Sequence, residues 1–291
     1  MEKRMLIHNI PEISAIYFAM LQCGYDYYTF EKNADLIETI KSFRVAQTGY
    51  DISFFLAVKQ ETCEVYPYWP RAAALETATF FFNRTSMQFR DFSAYRNSIM
   101  SADNISDVER NQDFWKWIKA FPSALACILN SNTFKSYLDW ENKWIEHQNL
   151  TFENELENIQ RILDICVRNY DSPVQKVSVI LNPIKCVYSA DYHMNGNQFF
   201  FCSGAFRMES VIHEFLHHVI HPSVRESKEI ILKYRIRYPD IDDSYYLSGD
   251  EQGRINAFEE YLVRCLTKSI FAEFIPSNLR LFIDEILRDL S

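Results

Sequence analysis

Met208-Glu209-Ser210-Val211-Ile212-His213-Glu214-Phe215-Leu216-His217-His218-Val219-Ile220-His221-Pro222 is the stretch in which residue type and spacing together specify a chemistry, and it contains His-Glu-x-x-His. On a helix, residues i and i+4 lie one above the other, so the imidazoles of His213 and His217 project side by side and can take two positions on one metal ion. Glu214 follows the first of them, where its carboxylate reaches a water on the metal rather than the metal itself, as a general base must. The flanks predict a helix independently. Val211, Ile212, Phe215, Leu216, Val219 and Ile220 form an apolar stripe at helical periodicity, while His213, Glu214, His217, His218 and His221 share the opposite arc. Pro222 disfavours α geometry at His221, so the helix is expected to end there. Chance gives His-Glu-x-x-His in roughly one chain of this length in a hundred, and the apolar residues at both x positions make accident rarer still.

The 291 residues are enough for a large core and for two parts. Hydrophobic residues at 48% and charged ones at 24% exclude the disordered and fibrous classes. Only 6 glycines are present, which suits a mainly helical chain with few positive-φ positions. A net charge of -9 without a concentrated basic patch argues against a nucleic-acid or anionic-membrane surface. No apolar run has the length of a membrane span, and the N-terminus reaches Pro11 and Glu12 too soon for a signal peptide, so a cytoplasmic location is expected. Cys23, Cys63, Cys127, Cys166, Cys186, Cys202 and Cys265 are scattered and form no C-x-x-C pair. They read as buried free thiols rather than a disulfide framework or a zinc cluster.

Residues 11 to about 148 read as helices with short breaks. Helices are expected over Pro11 to Cys23, Asn33 to Thr48, Arg71 to Asn83 and Ser106 to Phe121, each marked by a starting proline or capping Asn, or by a closing Gly or Pro. Tyr50 to Val65 and Met87 to Met100 are ambiguous. The aromatic groups Tyr25, Tyr27, Tyr28 and Phe30, then Phe80 to Phe82, then Trp140 and Trp144, read as core. A change of pattern near Thr151 proposes a boundary. Beyond it a helix carries Leu156, Ile159, Leu163, Cys166 and Tyr170 on one stripe, and strands follow over Val174 to Leu181, Cys186 to Tyr192 and Gln198 to Cys202. Asn195-Gly196 between the last two marks a type I′ hairpin turn.

A catalytic zinc takes three protein ligands and keeps one position open, so a third ligand is required. The metzincin arrangement would place Gly and His at offsets that fall here on Ile220 and Ser223, which excludes it. The alternative is a glutamate on a later helix. Asn256 to Leu266 combines acidic residues with an apolar helical pattern, and Glu260 is preferred to Glu259 because Arg264 at i+4 can orient its carboxylate. His221 is a third candidate.

His-Glu-x-x-His with a downstream glutamate and a preceding β-hairpin resembles the gluzincin branch of the zincin metallopeptidases. His213 to His217 with Pro222, and Glu260-x-x-x-Arg264, further resemble a group of bacterial proteins assigned to that branch by motif. The resemblance covers roughly residues 175 to 270 and says nothing of residues 1–150. The residue pattern gives a mainly helical α+β fold, a helical N-terminal domain over residues 1–150 and then residues 151–291 with a small antiparallel sheet before the motif helix, and the resemblance implies that this second part is zincin-like. The resemblance also implies a peptidase acting on a peptide or protein substrate, with His213, His217 and Glu260 holding Zn2+ and Glu214 as general base. By the same likeness the strand Gln198 to Cys202 is the sheet edge along which an extended peptide lies. Arg264 departs from the branch, whose members often carry an acid there. Tyr245, Tyr246 and His193 are each candidates for stabilising the oxyanion. The alternative function is a catalytically silent zinc-binding regulatory or interaction protein on the same fold.

Overall fold

The computed structural model describes residues 4–45, 49–60, 72–101, 112–233, 237–246 and 251–289. The fold is mainly helical with a small sheet, in the α+β class. Helix α1 (Pro11–Gln22) starts on its proline, and α2 (Ala34–Ser42) is capped by the Asn33 side chain, which accepts from Leu36 N at 2.8 Å. α2 stops short of the expected Thr48. The Gln22 side chain donates to Phe43 O and accepts from Val45 N, a tertiary cap invisible to local pattern; residues 46–48 lie outside the described residues.

Among the described residues the N-terminal part continues with helices α3 (Ser53–Gln60), α4 (Ala72–Thr79), α5 (Phe92–Ser101), α6 (Gln112–Ile118), α7 (Phe121–Leu129) and α8 (Asn132–Thr151). The helix expected over Arg71 to Asn83 ends at Thr79, and Phe82–Asn83 (β2) pairs instead with Gln88–Phe89 (β3). Arg71 and the first part of Ser106 to Phe121 lie outside the described residues. The helix expected to run to Phe121 ends at Ile118, and Pro122 sits in the first turn of α7, where its missing N–H costs nothing. Tyr25, Tyr28 and Phe82 are buried as the core reading requires, whereas Phe30 is exposed. Cys23, Cys166, Cys186 and Cys202 are buried thiols, Cys265 is half-buried, Cys127 is exposed, and Cys63 lies outside the described residues.

The expected boundary near Thr151 falls between α8 and α9 (Glu153–Asn169). After α9 the chain enters β4 (Lys176–Leu181), β5 (Asp191–Asn195) and β6 (Gln198–Ser203). With Ile7–His8 (β1) they form one sheet in the order β1-β4-β6-β5. The sheet is not antiparallel as expected. β1 pairs parallel with β4 and β4 parallel with β6, and only the β5/β6 hairpin is antiparallel. Val177 to Leu181 are all buried in β4, and Phe199 to Ser203 in β6. Such unbroken burial belongs to interior strands covered on both faces, and alternation cannot reveal their direction. The hairpin turn is also shifted by one residue. Asn195 pairs with Gln198, so the loop is Gly196-Asn197, with Gly196 at φ 58, and Asn197 O accepts from Gln175 N at 2.8 Å.

The sheet separates two hydrophobic clusters. Ile180, Phe200 and Cys202 face α1, α4 and the other N-terminal helices. Val177, Val179, Leu181, Phe199 and Phe201 face α9 and the helices α10 (Met208–Glu226), α12 (Glu251–Phe271) and α13 (Leu279–Asp289). Between α10 and α12 lies the short α11 (Lys228–Ile231). α10 does not end at His221. It runs through Pro222 to Glu226, although an interior proline costs about 3 kcal/mol, because Val224 beyond it is fully buried in the second cluster. Among the described residues no helix is long and apolar enough to cross a membrane.

Glu141 on α8 is buried among donors: Asn182 Nδ2 at 2.8 Å, Asn9 Nδ2 at 3.0 Å and Tyr137 Oη at 3.1 Å. Burial outweighs these bonds and pushes its carboxyl up to about 7. The fold therefore keeps a proton that the unfolded chain loses above its ordinary value of 4.5, and stability falls as pH rises between 4.5 and about 7. Glu141→Gln removes that dependence. Comparing urea midpoints at pH 5 and pH 8, the difference between wild type and variant should change by about 3 kcal/mol. A difference that stays constant across the range contradicts the buried-acid account.

Candidate metal centre

α10 and α12 pack against one another, and their facing residues assemble the site. The apolar stripe from Val211 to Ile220 is buried, which turns His213 and His217 towards α12. Their Nε2 atoms are 3.2 Å apart. Glu260 Oε2 lies 3.5 Å from His213 Nε2 and 3.3 Å from His217 Nε2. The structure thus brings His213 and His217 of α10 together with Glu260 of α12, far from them in sequence, as a group able to hold a metal ion. For zinc bonds of about 2.0–2.1 Å in a tetrahedral arrangement, neighbouring donors are about 3.3–3.4 Å apart. The three observed separations match that edge, so the donor set fits zinc in size as well as chemistry.

The carboxylates around this group divide the work. Glu260 Oε1 accepts from Arg264 Nε at 2.6 Å, leaving Oε2 to the histidines. Burial pushes the Glu260 carboxyl up, but the hydrogen bonds and charges of His213 and His217 prevail and hold it well below the usual carboxylate range. Burial likewise disfavours a charged His217, yet bonds to Glu259 and Glu260 carry it up to about 10. Glu214 stands one helical step away with its carboxyl pushed up to about 8, chiefly by burial, with Asp191 and Glu260 adding to the rise and His217 opposing it.

The remaining candidates are placed elsewhere. Glu259 Oε1 is 2.9 Å from His217 Nδ1 and its Oε2 is 2.8 Å from His221 Nδ1, so both face the outer side of the histidines. His218 turns to the rings of Tyr192, Phe199 and Phe215. His193 is buried on the opposite side of the sheet, with Nε2 2.7 Å from Glu76 Oε2 and Nδ1 2.9 Å from Thr77 Oγ1. Both its nitrogens are engaged there, which removes it as an oxyanion donor. Tyr245 and Tyr246 lie in the 3-10 turn Asp243–Tyr246 against α12, and the Tyr246 hydroxyl accepts from Tyr238 N at 3.0 Å.

The strand expected to be the sheet edge, Gln198 to Cys202, is interior, paired with β4 on one side and β5 on the other. The edge nearest Glu214 is β5, which carries Asp191. Local pattern could not show this, because the β4-to-β5 connection lets the returning β6 take the slot beside β4.

Glu76, His193 and Cys202 form a second, wholly buried cluster of side chains that can ligate a metal. It has the geometry of an ion-pair network. The 2.7 Å contact between His193 and Glu76 is a hydrogen bond, shorter than a tetrahedral edge. Lys185 Nζ already supplies the cation, 2.7 Å from Glu76 Oε1, 2.6 Å from Asp191 Oδ2 and 2.9 Å from Tyr17 Oη. Burial and Glu76 push the Cys202 thiol well up, which keeps it protonated and a poor ligand. Nothing in the sequence pointed to this network, because Glu76 and Lys185 are 109 positions apart.

Comparison with family models, with curated proteins and with solved structures gave no match.

Proposed function

We propose that the chain is a zinc-dependent metallopeptidase of gluzincin type, with His213, His217 and Glu260 as metal ligands and Glu214 as general base. The observation that carries the reading is the triangle of Nε2, Nε2 and Oε2 atoms at 3.2, 3.3 and 3.5 Å, formed by two imidazoles and one carboxylate. Zinc in that group would supply Lewis acidity, lowering the pKa of water towards about 7 and polarising a carbonyl. The chain's own residues do the rest. Glu214 accepts the proton of the attacking water and returns it to the leaving amine. Arg264 holds Glu260 so that one oxygen faces the histidines. β5 borders the sheet, and alternate residues of an antiparallel strand turn N–H and C=O away from the partner, so an extended peptide would pair along β5 rather than β6.

Elemental analysis of wild type and His217→Ala, both purified in metal-free buffer and offered zinc, tests the site. One zinc per chain in the wild type and none in the variant is the expected result. A wild type that takes up no zinc removes the basis of the proposal.

A further inference from the structure

We propose that Glu259 is the positioning residue of the metal group: its carboxylate fixes the proton of His217 on Nδ1 and so presents Nε2 to the ion. The inference rests on the metal site of the preceding section and extends it to a residue that holds no metal. Glu259 and Glu260 are adjacent on α12, and successive helical residues diverge by about 100°, so the two carboxylates cannot approach one point from the same side. Glu260 reaches the Nε2 side of His217 at 3.3 Å, and Glu259 reaches the Nδ1 side at 2.9 Å. An ionised carboxylate only accepts hydrogen bonds, so the ring nitrogen facing Glu259 must carry the hydrogen. Nε2 is then the atom left to ligate, and it is the one that points at His213 Nε2 and Glu260 Oε2.

His221 completes the arrangement. It lies one turn beyond His217 on α10, and its Nδ1 takes the second oxygen of Glu259 at 2.8 Å. One carboxylate thus spans two histidines at i and i+4. With both oxygens held it does not swing round to compete with Glu260. Glu259 is also nearly buried, at 9% exposure, so water does not readily replace these bonds.

The test is the affinity of the whole chain for Zn2+ by competition with a chelating indicator, with helicity followed in parallel. Glu259→Ala should bind zinc 10- to 100-fold more weakly than wild type, a loss of the size found for outer-shell partners of metal-bound histidines. Glu259→Gln should lose less, because an amide oxygen still accepts one bond. His221→Ala should lose less than Glu259→Ala, since it removes an anchor of the carboxylate and not the carboxylate. Wild-type affinity in Glu259→Ala overturns the inference while leaving the metal site standing. A larger loss in His221→Ala overturns it too, because His221 would then be a ligand. Nitrogen NMR of the zinc-loaded wild type decides the matter even if Glu259→Ala fails to fold. His217 ligating through Nε2 with a protonated Nδ1 is expected, and ligation through Nδ1 is incompatible with the role. A wild type that binds no zinc removes the metal site and this inference together.

Discussion

Glu214→Gln should keep its zinc and lose hydrolysis by roughly a hundred- to ten-thousand-fold, the range that positioned proton transfer contributes. The two halves of this result have separate causes. The three donors of the metal group belong to His213, His217 and Glu260, so an amide at position 214 takes nothing from the coordination. The same amide cannot accept a proton, so the step assigned to Glu214 has no carrier. Glutamine is close to glutamate in size and leaves the packing of α10 intact, which separates chemistry from folding. The measurement requires a peptide that the zinc-loaded wild type cleaves, found from a mixed peptide library, and then rate and metal content on both proteins. Zinc lost together with activity would make Glu214 a contributor to the site's structure. Equal rates would take away its role as base. A zinc-loaded wild type that cleaves nothing in the library favours the silent, zinc-binding reading of the same fold.

What the amino-acid pattern reveals here is whatever depends on one helix at a time. His213 and His217 share a face because they are four apart, and the apolar stripe beside them orients that face. Arg264 reaches Glu260 for the same reason, at 2.6 Å. The same local spacing distinguishes Glu260 from Glu259, although the distance of either from α10 lies beyond it. The pattern fails where partners are distant in sequence. Phe199-Phe200-Phe201 reads as a strand in any direction, and its place between β4 and β5 is set by pairing with Val177 to Val179, more than twenty positions earlier. Pro222 marks a helix end by its own geometry, and burial of Val224 overrides it. No local spacing shows that Glu259 meets His217 and His221, because both sit on another helix. Lys185 gave no local signal, since its partners come from α1, α4 and β5.

Lys185→Met should destabilise the fold by about 3–5 kcal/mol, the cost of removing one partner from a buried ion pair. The ammonium is 1% exposed and Glu76 fully buried, so no water replaces the lost charge beside Glu76. Burial pushes the Glu76 carboxyl up, and Lys185 and His193 together hold it down at about 2, which is the electrostatic form of the same dependence. Asp191, at 26% side-chain exposure, can turn to water and limits the loss. Removing both buried charges, in Glu76→Gln with Lys185→Met, should therefore recover part of the stability that Lys185→Met alone gives up, because no uncompensated charge is then left in the core. Urea midpoints of the four proteins of this cycle measure the coupling. The network ties α4 to β5 through Glu76, Thr77, His193 and Asp191, so its loss should show first as faster amide exchange in β5. Zinc uptake should be unchanged, since His213, His217 and Glu260 sit between α10 and α12 and take no bond from Lys185. If Lys185→Met has the midpoint of the wild type, the ammonium does not hold β5 to α4, and the helical N-terminal part must meet the sheet through the packing of Phe80 on Phe200 and its neighbours instead.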